Sequence, residues 1–326
     1  MKQIVLEAPG RFVERQAPMP VPNTGEAFVR VQKVGVCGSD FHAFAGRHPA
    51  YSYPRVLGHE LSGIVVEAPA NDKGIQAGDS CAIEPYLACG KCPTCSMGRE
   101  NCCEQLKLFG VHIDGGMQEF LSVPINLLHK SEKLSLDQLA LVETLGIGAH
   151  AVDRSGLRAG EEALVVGAGP IGISVAQFAA ALGAKVRLVE TVEWRRQFVE
   201  AMGYEVLEAP DGRLADAVFD ATGNARAMAA SLSSVAAGGR LIFAGLTADP
   251  VCIDDALLHR REITLYASRN SYGLFPGIIR LIESGKIDAS HWITDRLTLS
   301  NVVSDFQRLP ELKTVIKAMV DVQDQA

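Results

Sequence analysis

The run Gly167-Ala168-Gly169-Pro170-Ile171-Gly172 restricts this chain's fold more than any other feature of the sequence, because it matches G-x-G-x-x-G in full context. On its own the pattern arises by chance in small loops. Here an apolar strand at 163–166 runs into it, a helical segment at 173–182 leaves it, and a second strand at 186–190 ends in Glu190. Gly167 and Gly169 allow a tight turn and close approach of backbone N–H groups to a pyrophosphate. Gly172 lets helix and strand pack closely, and the helix start at Pro170 and Ile171 favours negative charge. Glu190 lies near the ~20-residue offset at which an acid accepts from the adenosine ribose hydroxyls. A carboxylate there repels a 2′-phosphate, which favours NAD over NADP; Arg195 and Arg196 are the counterweight, since a nearby Arg can hold a phosphate. A plain glycine-rich turn without a cofactor is the blander reading, and the context weighs against it.

The surrounding pattern extends this unit. Strand-like and helix-like segments alternate at 163–166, 173–182, 186–190, 194–202, 204–207, 218–221, 225–235 and 240–244, which predicts a parallel sheet covered by helices on both faces. Thr222, Gly245 and Leu246 sit at strand C-terminal ends and are candidates to line the cofactor, with packing at the sheet edge the equal alternative. One connection is short: residues 208–217 include Pro210-Asp211-Gly212 and leave little room for a crossover helix. Fully extended, such a stretch reaches ~33 Å, so the link should be taut and largely non-helical. The first ~130 residues instead look β-rich, with partial alternation at 27–36, a short apolar run at 61–66 and many Pro and Gly breaks. A helix is expected over 139–152. The end of the chain returns to mixed patterning after about Lys286. The expected organisation is an α/β chain of two domains, residues 1–146 with 286–326 and residues 147–285, with a ligand cleft between them.

Composition excludes several classes. A length of 326 residues suits about two domains, and a formal charge of −7 argues against nucleic-acid or anionic-membrane partners. No run approaches the ~20 apolar residues of a membrane span. Residues 1–10 read as a strand rather than a signal peptide, so a reducing, cytoplasmic location is expected. Disulfides are rare there, yet five of the eight cysteines fall between Cys89 and Cys103. Metal is the better explanation.

Cys89-x2-Cys92-x2-Cys95-x7-Cys103 offers four thiolates, a closed tetrahedral shell with no position for substrate: a structural zinc. Spacing alone leaves Cys102 and Cys103 as alternatives for the fourth ligand. A zinc-ribbon nucleic-acid binder could use similar ligands, but the acidic balance and the dinucleotide pattern oppose it. A second, looser set is Cys37-Gly38-Ser39-Asp40-Phe41-His42, Gly58-His59-Glu60 and Glu143. Three protein ligands and one open position are what a catalytic zinc requires, although a lone Cys or His is more often an ordinary residue.

At these residues the chain resembles the zinc-containing medium-chain dehydrogenases over essentially its whole length. The likeness rests on Cys-Gly-Ser-Asp at 37–40, Gly-His-Glu at 58–60, the cysteine lobe at 89–103 and the glycine fingerprint. Within that family it looks nearest the sorbitol and L-threonine dehydrogenase branch, and there the L-galactonate 5-dehydrogenase-like sugar-acid enzymes, through residues 53–60, 101–104, 110–116 and 268–270. The resemblance implies a GroES-like β-barrel catalytic domain plus a doubly wound Rossmann domain, two zinc ions per chain and a homodimer or homotetramer. It assigns Cys37, His59 and Glu143 to the catalytic zinc, with Glu60 joining or alternating with water, and gives the fourth structural position to Cys103. Asp40 would orient His59; Ser39 would bond the substrate hydroxyl and lead to His42. Arg269 and Asn270 are the candidates for substrate specificity, since a guanidinium can fork onto a sugar-acid carboxylate or a set of hydroxyls. The implied reaction is hydride transfer between a secondary alcohol of a sugar acid or polyol and NAD. A simple alcohol or L-threonine dehydrogenase is the alternative within enzymes, and a catalytically silent NAD(H)-binding sensor the alternative outside them. Thr144 departs from the branch, which usually has Pro after the glutamate.

Overall fold

Ten strands make up the first part of the chain: β1 (Lys2–Ala8), β2 (Arg11–Gln16), β3 (Glu26–Val36), β4 (Arg55–Val56), β5 (Glu60–Glu67), β6 (Ser80–Ile83), β7 (Tyr86–Leu87), β8 (Lys107–Leu108), β9 (Phe120–Pro124) and β10 (Leu128–Lys130). In β3, Ala27, Val29 and Val31 are buried, and then Val34 and Val36. The change of phase has a cause. The register of β3 against β5 shifts between Val31 and Lys33, and one extra residue exchanges the faces. That bulge hid the strand's full alternation in the sequence. Short helices α1 (Gly38–Phe44) and α2 (Pro93–Ser96) interrupt the strands, and α3 (Leu136–Ser155) follows them.

The chain then alternates. Strands β11 (Glu162–Val166), β12 (Lys185–Val189), β13 (Glu205–Leu207), β14 (Ala215–Asp220), β15 (Val235–Phe243) and β16 (Thr264–Ala267) form one sheet in the order β13-β12-β11-β14-β15-β16. All its pairings are parallel. Helices α4 (Pro170–Leu182), α5 (Glu193–Ala201), α6 (Ala225–Ser231) and α7 (Asp255–Arg260) lie between them in sequence. This is the doubly wound Rossmann arrangement. The short connection from β13 to β14 holds no helix: residues 208–214 run as turns and irregular chain. Arg187 of β12, buried beneath it, donates to Asp211 and to the carbonyls of Arg213 and Leu214 at 3.3–3.4 Å. A single guanidinium thus satisfies loop carbonyls that have no helix to join.

After α8 (Phe275–Glu283) come β17 (Ile293–Thr298) and β18 (Lys317–Asp321). They complete a seven-stranded sheet in the order β10-β6-β5-β3-β18-β17, with β9 also paired to β3; β2-β1-β4 form a separate three-stranded sheet. This is the GroES-like β unit. The computed structural model describes residues 1–312 and 314–323. Backbone contacts divide the chain into Met1–Glu143 with Phe275–Ala326, and Thr144–Leu274. The sequence had placed the divisions at 146/147 and 285/286. The larger difference arises at α8, whose pattern reads like one more Rossmann helix. Its apolar face (Phe275, Ile278, Ile279, Ile282) is buried, Phe275 packs on His129, and Glu283 accepts from Ser131 at 2.7 Å, all within the first unit. Among the described residues no helix is long and apolar enough to cross a membrane.

Candidate functional site

The cysteine lobe of the first unit folds around its own sulfurs. The donor atoms of Cys89, Cys92, Cys95 and Cys103 lie within 4.8 Å of one another, while Cys102 is exposed and outside the group. The structure therefore selects Cys103 where spacing left two choices. Backbone N–H groups of Cys89 and Gln105 point at Cys103 Sγ at 3.2 and 3.3 Å. The Thr94 hydroxyl lies 3.1 Å from Cys92 Sγ and draws that thiol down to about 5, whereas burial pushes Cys95 up to about 12. Four sulfurs this close repel one another once ionised, and a tetrahedral divalent cation resolves that repulsion. The cysteine set fits a structural zinc.

The second cluster is assembled by strand ends. Cys37 follows β3, His59 immediately precedes β5 and Glu60 opens it; one donor atom from each lies within 4.8 Å of the others. Gly58 precedes His59 with φ +97°, a left-handed turn that an L side chain resists. Asp40 explains the Cys-Gly-Ser-Asp run. One carboxylate oxygen accepts the Cys37 N–H at 2.9 Å at the start of α1, and the other lies 3.8 Å from His59 Nδ1. Both of those facing atoms are buried and otherwise unpartnered. Asp40 thus ties the Cys37 backbone to the His59 ring and leaves Nε2 for another partner.

Charge reinforces this geometry. Burial opposes a charge on His59, but Cys37, Asp40 and Glu143 outweigh it, so its pKa stands well above the ordinary value. Burial pushes Asp40 and Glu143 up. A buried set of anionic donors that would hold a proton on an imidazole is also the field that holds a divalent cation. The donor set, one thiolate, one imidazole and a carboxylate, fits zinc.

The remaining expected residues are placed unevenly. Glu143 is buried near the cluster's field but outside its close group, and it accepts a hydrogen bond from the Tyr86 hydroxyl. Helix α3 runs unbroken through Glu143 and Thr144, and Thr144 Oγ1 is buried without a partner. Ser39 is half-buried and accepts from buried Tyr51 at 3.4 Å, while His42 is exposed one turn further along α1. Sequence reasoning missed Tyr51 and Tyr86. It also missed Lys317, which is buried and donates to both Glu60 oxygens at 2.6 and 2.8 Å. A lone Lys inside the apolar run of residues 315–320 was the available signal.

In the second unit the glycine fingerprint spans β11 and α4. Gly167 has φ +95°, and a Cβ at Gly172 would lie 1.8 Å from the Gly167 carbonyl oxygen. A Cβ at Gly169 would meet nothing within 4 Å, so the turn presents bare backbone there. Glu190 is buried; its two oxygens accept the N–H groups of Ala168 and Val192 at 2.9 Å each. Arg196 donates to the Glu190 and Thr191 carbonyls, leaving Arg195, 3.9 Å from the Glu190 carboxylate, as the guanidinium beside that acid. Thr222 donates through both its N–H and its hydroxyl to Asp220 at the end of β14. Gly245 approaches Gly223 so closely that a Cβ would lie 2.5 Å from its nitrogen, and Leu246 is largely exposed. Beyond β16, Arg269 is exposed, Asn270 is left-handed at φ +52°, and the Ser268, Asn270 and Ser271 side chains each bury an unpartnered atom.

Comparison with known proteins agrees with both units. The family profile described as "Alcohol dehydrogenase GroES-like domain" matches residues 23–133, and "Zinc-binding dehydrogenase" matches 170–284. L-galactonate-5-dehydrogenase of Escherichia coli K12 is 37% identical, with 94% of this chain and 95% of that one covered. A structure described as a zinc-binding dehydrogenase of Sinorhizobium meliloti 1021 bound to NADP has TM-score 0.91 and 29% identity, covering 98% of this chain and 99% of its own. An alcohol dehydrogenase of Escherichia coli CFT073 complexed with NADH has TM-score 0.92 and 26% identity, covering 99% of each chain. The chain belongs to the zinc-containing medium-chain dehydrogenases, within the alcohol dehydrogenase superfamily.

Proposed function

We propose that the chain oxidises a secondary alcohol of a sugar acid or polyol, of the L-galactonate class, with NAD as hydride acceptor. The observation that carries this reading is the buried group of Cys37, His59 and Glu60 with Asp40 set against the imidazole. Cys37 and His59 would hold a zinc ion, with Glu60 or Glu143 supplying a carboxylate. Bound there, zinc would act as a Lewis acid that favours the deprotonated form of a substrate hydroxyl. Ser39 would accept the hydroxyl proton on a lone pair left free by Tyr51 and release its own proton to His42. Imidazole is the side chain that ordinarily exchanges protons near neutral pH, and His42 is exposed. Bound NAD would supply the acceptor for the hydride of the carbinol carbon.

The residues around Gly169 would receive the pyrophosphate at the start of α4, and Glu190 the adenosine ribose hydroxyls. Thr222, Gly245 and Leu246 would border the nicotinamide end. Glu190 supports NAD over NADP; Arg195 is the residue through which NADP would be accepted. Arg269 and Asn270 would read the substrate, and the likeness to a sugar-acid dehydrogenase supports a carboxylate for Arg269. The test is to follow NADH absorbance against aldonates, alditols, threonine and simple alcohols, each with and without a strong chelator. Chelator-sensitive turnover concentrated on aldonates or alditols is expected. Turnover only on threonine or simple alcohols would move the substrate class, and tight NADH binding without turnover would favour a silent sensor.

A further inference from the structure

Glu60 and Lys317 stand on strands that do not touch: the order β5-β3-β18 puts β3 between them. Strands lie ~4.8 Å apart, so the two side chains must meet across ~10 Å of sheet. The residue of β3 between them is Gly35, paired with Glu60 on one side and Met319 on the other. A Cβ at Gly35 would sit 2.1 Å from Glu60 Oε2, so the missing side chain is the opening through which the carboxylate reaches. Lys317 Nζ then donates to both Glu60 oxygens and, at 3.2 Å, to the Val36 carbonyl, which uses all three ammonium hydrogens. The side chains are only 2% and 1% exposed. Desolvating such a pair offsets most of its attraction, so stability alone is a weak reason for it. The same carboxylate has a second suitor, because one of its oxygens is within 4.8 Å of the Cys37 and His59 donor atoms. Ligand atoms of a tetrahedral zinc lie about 3.5 Å apart, so a small movement toward them would make Glu60 a ligand.

We propose that Lys317 is a positioning residue that, across Gly35, holds Glu60 off the metal centre of Cys37 and His59, keeping one coordination position open for substrate. The inference rests on the reading of Cys37 and His59 as a metal centre. To ligate, Glu60 must give up a Lys317 hydrogen bond; without the ammonium, its charge is free to turn to the metal.

The probe is Co2+ in the full-length chain, stripped of zinc and reloaded. The difference between wild type and Cys37→Ser isolates the spectrum of this centre from that of the cysteine lobe, and the rate of Co2+ capture by a chelator reports its retention. Lys317→Met should shift the visible bands and slow capture by about tenfold. Lys317→Arg, which keeps the charge, should leave the bands in place and the rate within about twofold. Lys317→Met combined with Glu60→Gln should return the bands toward wild type, because the released ligand is gone. Gly35→Ala removes no charge yet puts a methyl where the carboxylate lies; it should shift the bands as Lys317→Met does and serves if that variant does not fold. Bands unchanged in Lys317→Met and Gly35→Ala, or a double variant that keeps the Lys317→Met spectrum, would overturn the proposal. Equal Co2+ uptake by wild type and Cys37→Ser would instead remove the metal centre on which it rests.

Discussion

Two alanine substitutions three residues apart, Gly169→Ala and Gly172→Ala, should separate cofactor contact from fold. A Cβ at Gly172 would lie 1.8 Å from the Gly167 oxygen and 2.9 Å from its carbonyl carbon, where real Cβ contacts essentially never fall under 3.0 Å. The start of α4 must therefore move about 1.2 Å away from the turn, and backbone cannot swing aside as a side chain can. Overpacking of this kind costs about 2 kcal/mol, or about 4–8 °C of melting temperature for a domain of this size. At Gly169 the backbone is extended, with φ −76° and ψ −179°, which any residue adopts, and the Cβ meets nothing within 4 Å. Its alanine variant should melt within about 2 °C of wild type, since surface changes of this sort stay within about 0.5 kcal/mol. Yet its methyl occupies the space where pyrophosphate oxygens would approach backbone N–H groups, so NADH affinity should fall by about tenfold or more, the equivalent of one lost charge-assisted hydrogen bond. Calorimetry and NADH fluorescence titration on the same preparations read the two quantities. Wild-type NADH affinity in Gly169→Ala would refute the placement of the pyrophosphate, and an unshifted melt in Gly172→Ala would refute the packing argument.

Three further outcomes are expected. Arg269→Ala should raise KM for an aldonate about tenfold or more while changing KM for a neutral polyol little; equal effects would count against a carboxylate partner. Iodoacetamide followed by peptide mass mapping should label exposed Cys102 and Cys252 and spare Cys81, whose thiol burial pushes up to about 12; early labelling of Cys81 would contradict its burial. The Glu161 pKa is lowered, burial opposing and the Arg240 hydrogen bond outweighing it. Its pairing therefore contributes stability above the ordinary carboxylate value of 4.5, lost as pH falls through the lowered folded value. Wild type should exceed Glu161→Gln by under ~1 kcal/mol at neutral pH and converge with it in acid; a gap that widens in acid would reverse the sign.

Local chemistry was the legible part of this sequence. The turn at 167–172 and the four cysteines each depend on neighbours within about fifteen residues, and Glu190 meets that turn through the Ala168 N–H 22 residues earlier, at the offset the motif predicts. What escaped depends on distant pairing. Lys317 meets Glu60 257 residues away through the sheet order, and Tyr86 of β7 meets Glu143 of α3 57 residues away through tertiary packing. Gly35 carries no signal of its own in the sequence, and its role appears only when β5 and β18 are seen to lie beyond β3 on either side. The bulge in β3 concealed alternation that was present on both sides of it. Helix α8 shows the converse: residues 275–283 fell inside the expected dinucleotide-binding domain, but an amphipathic pattern does not say against which core its apolar face packs.

The central claim, a metal-dependent dehydrogenase with one closed and one open zinc centre, is tested most directly by counting zinc. Elemental analysis of the purified chain beside Cys37→Ser and Cys92→Ser should give near two zinc ions for wild type and near one for each variant, following the two donor groups. A single zinc in wild type, retained when Cys37 is replaced, would contradict the account.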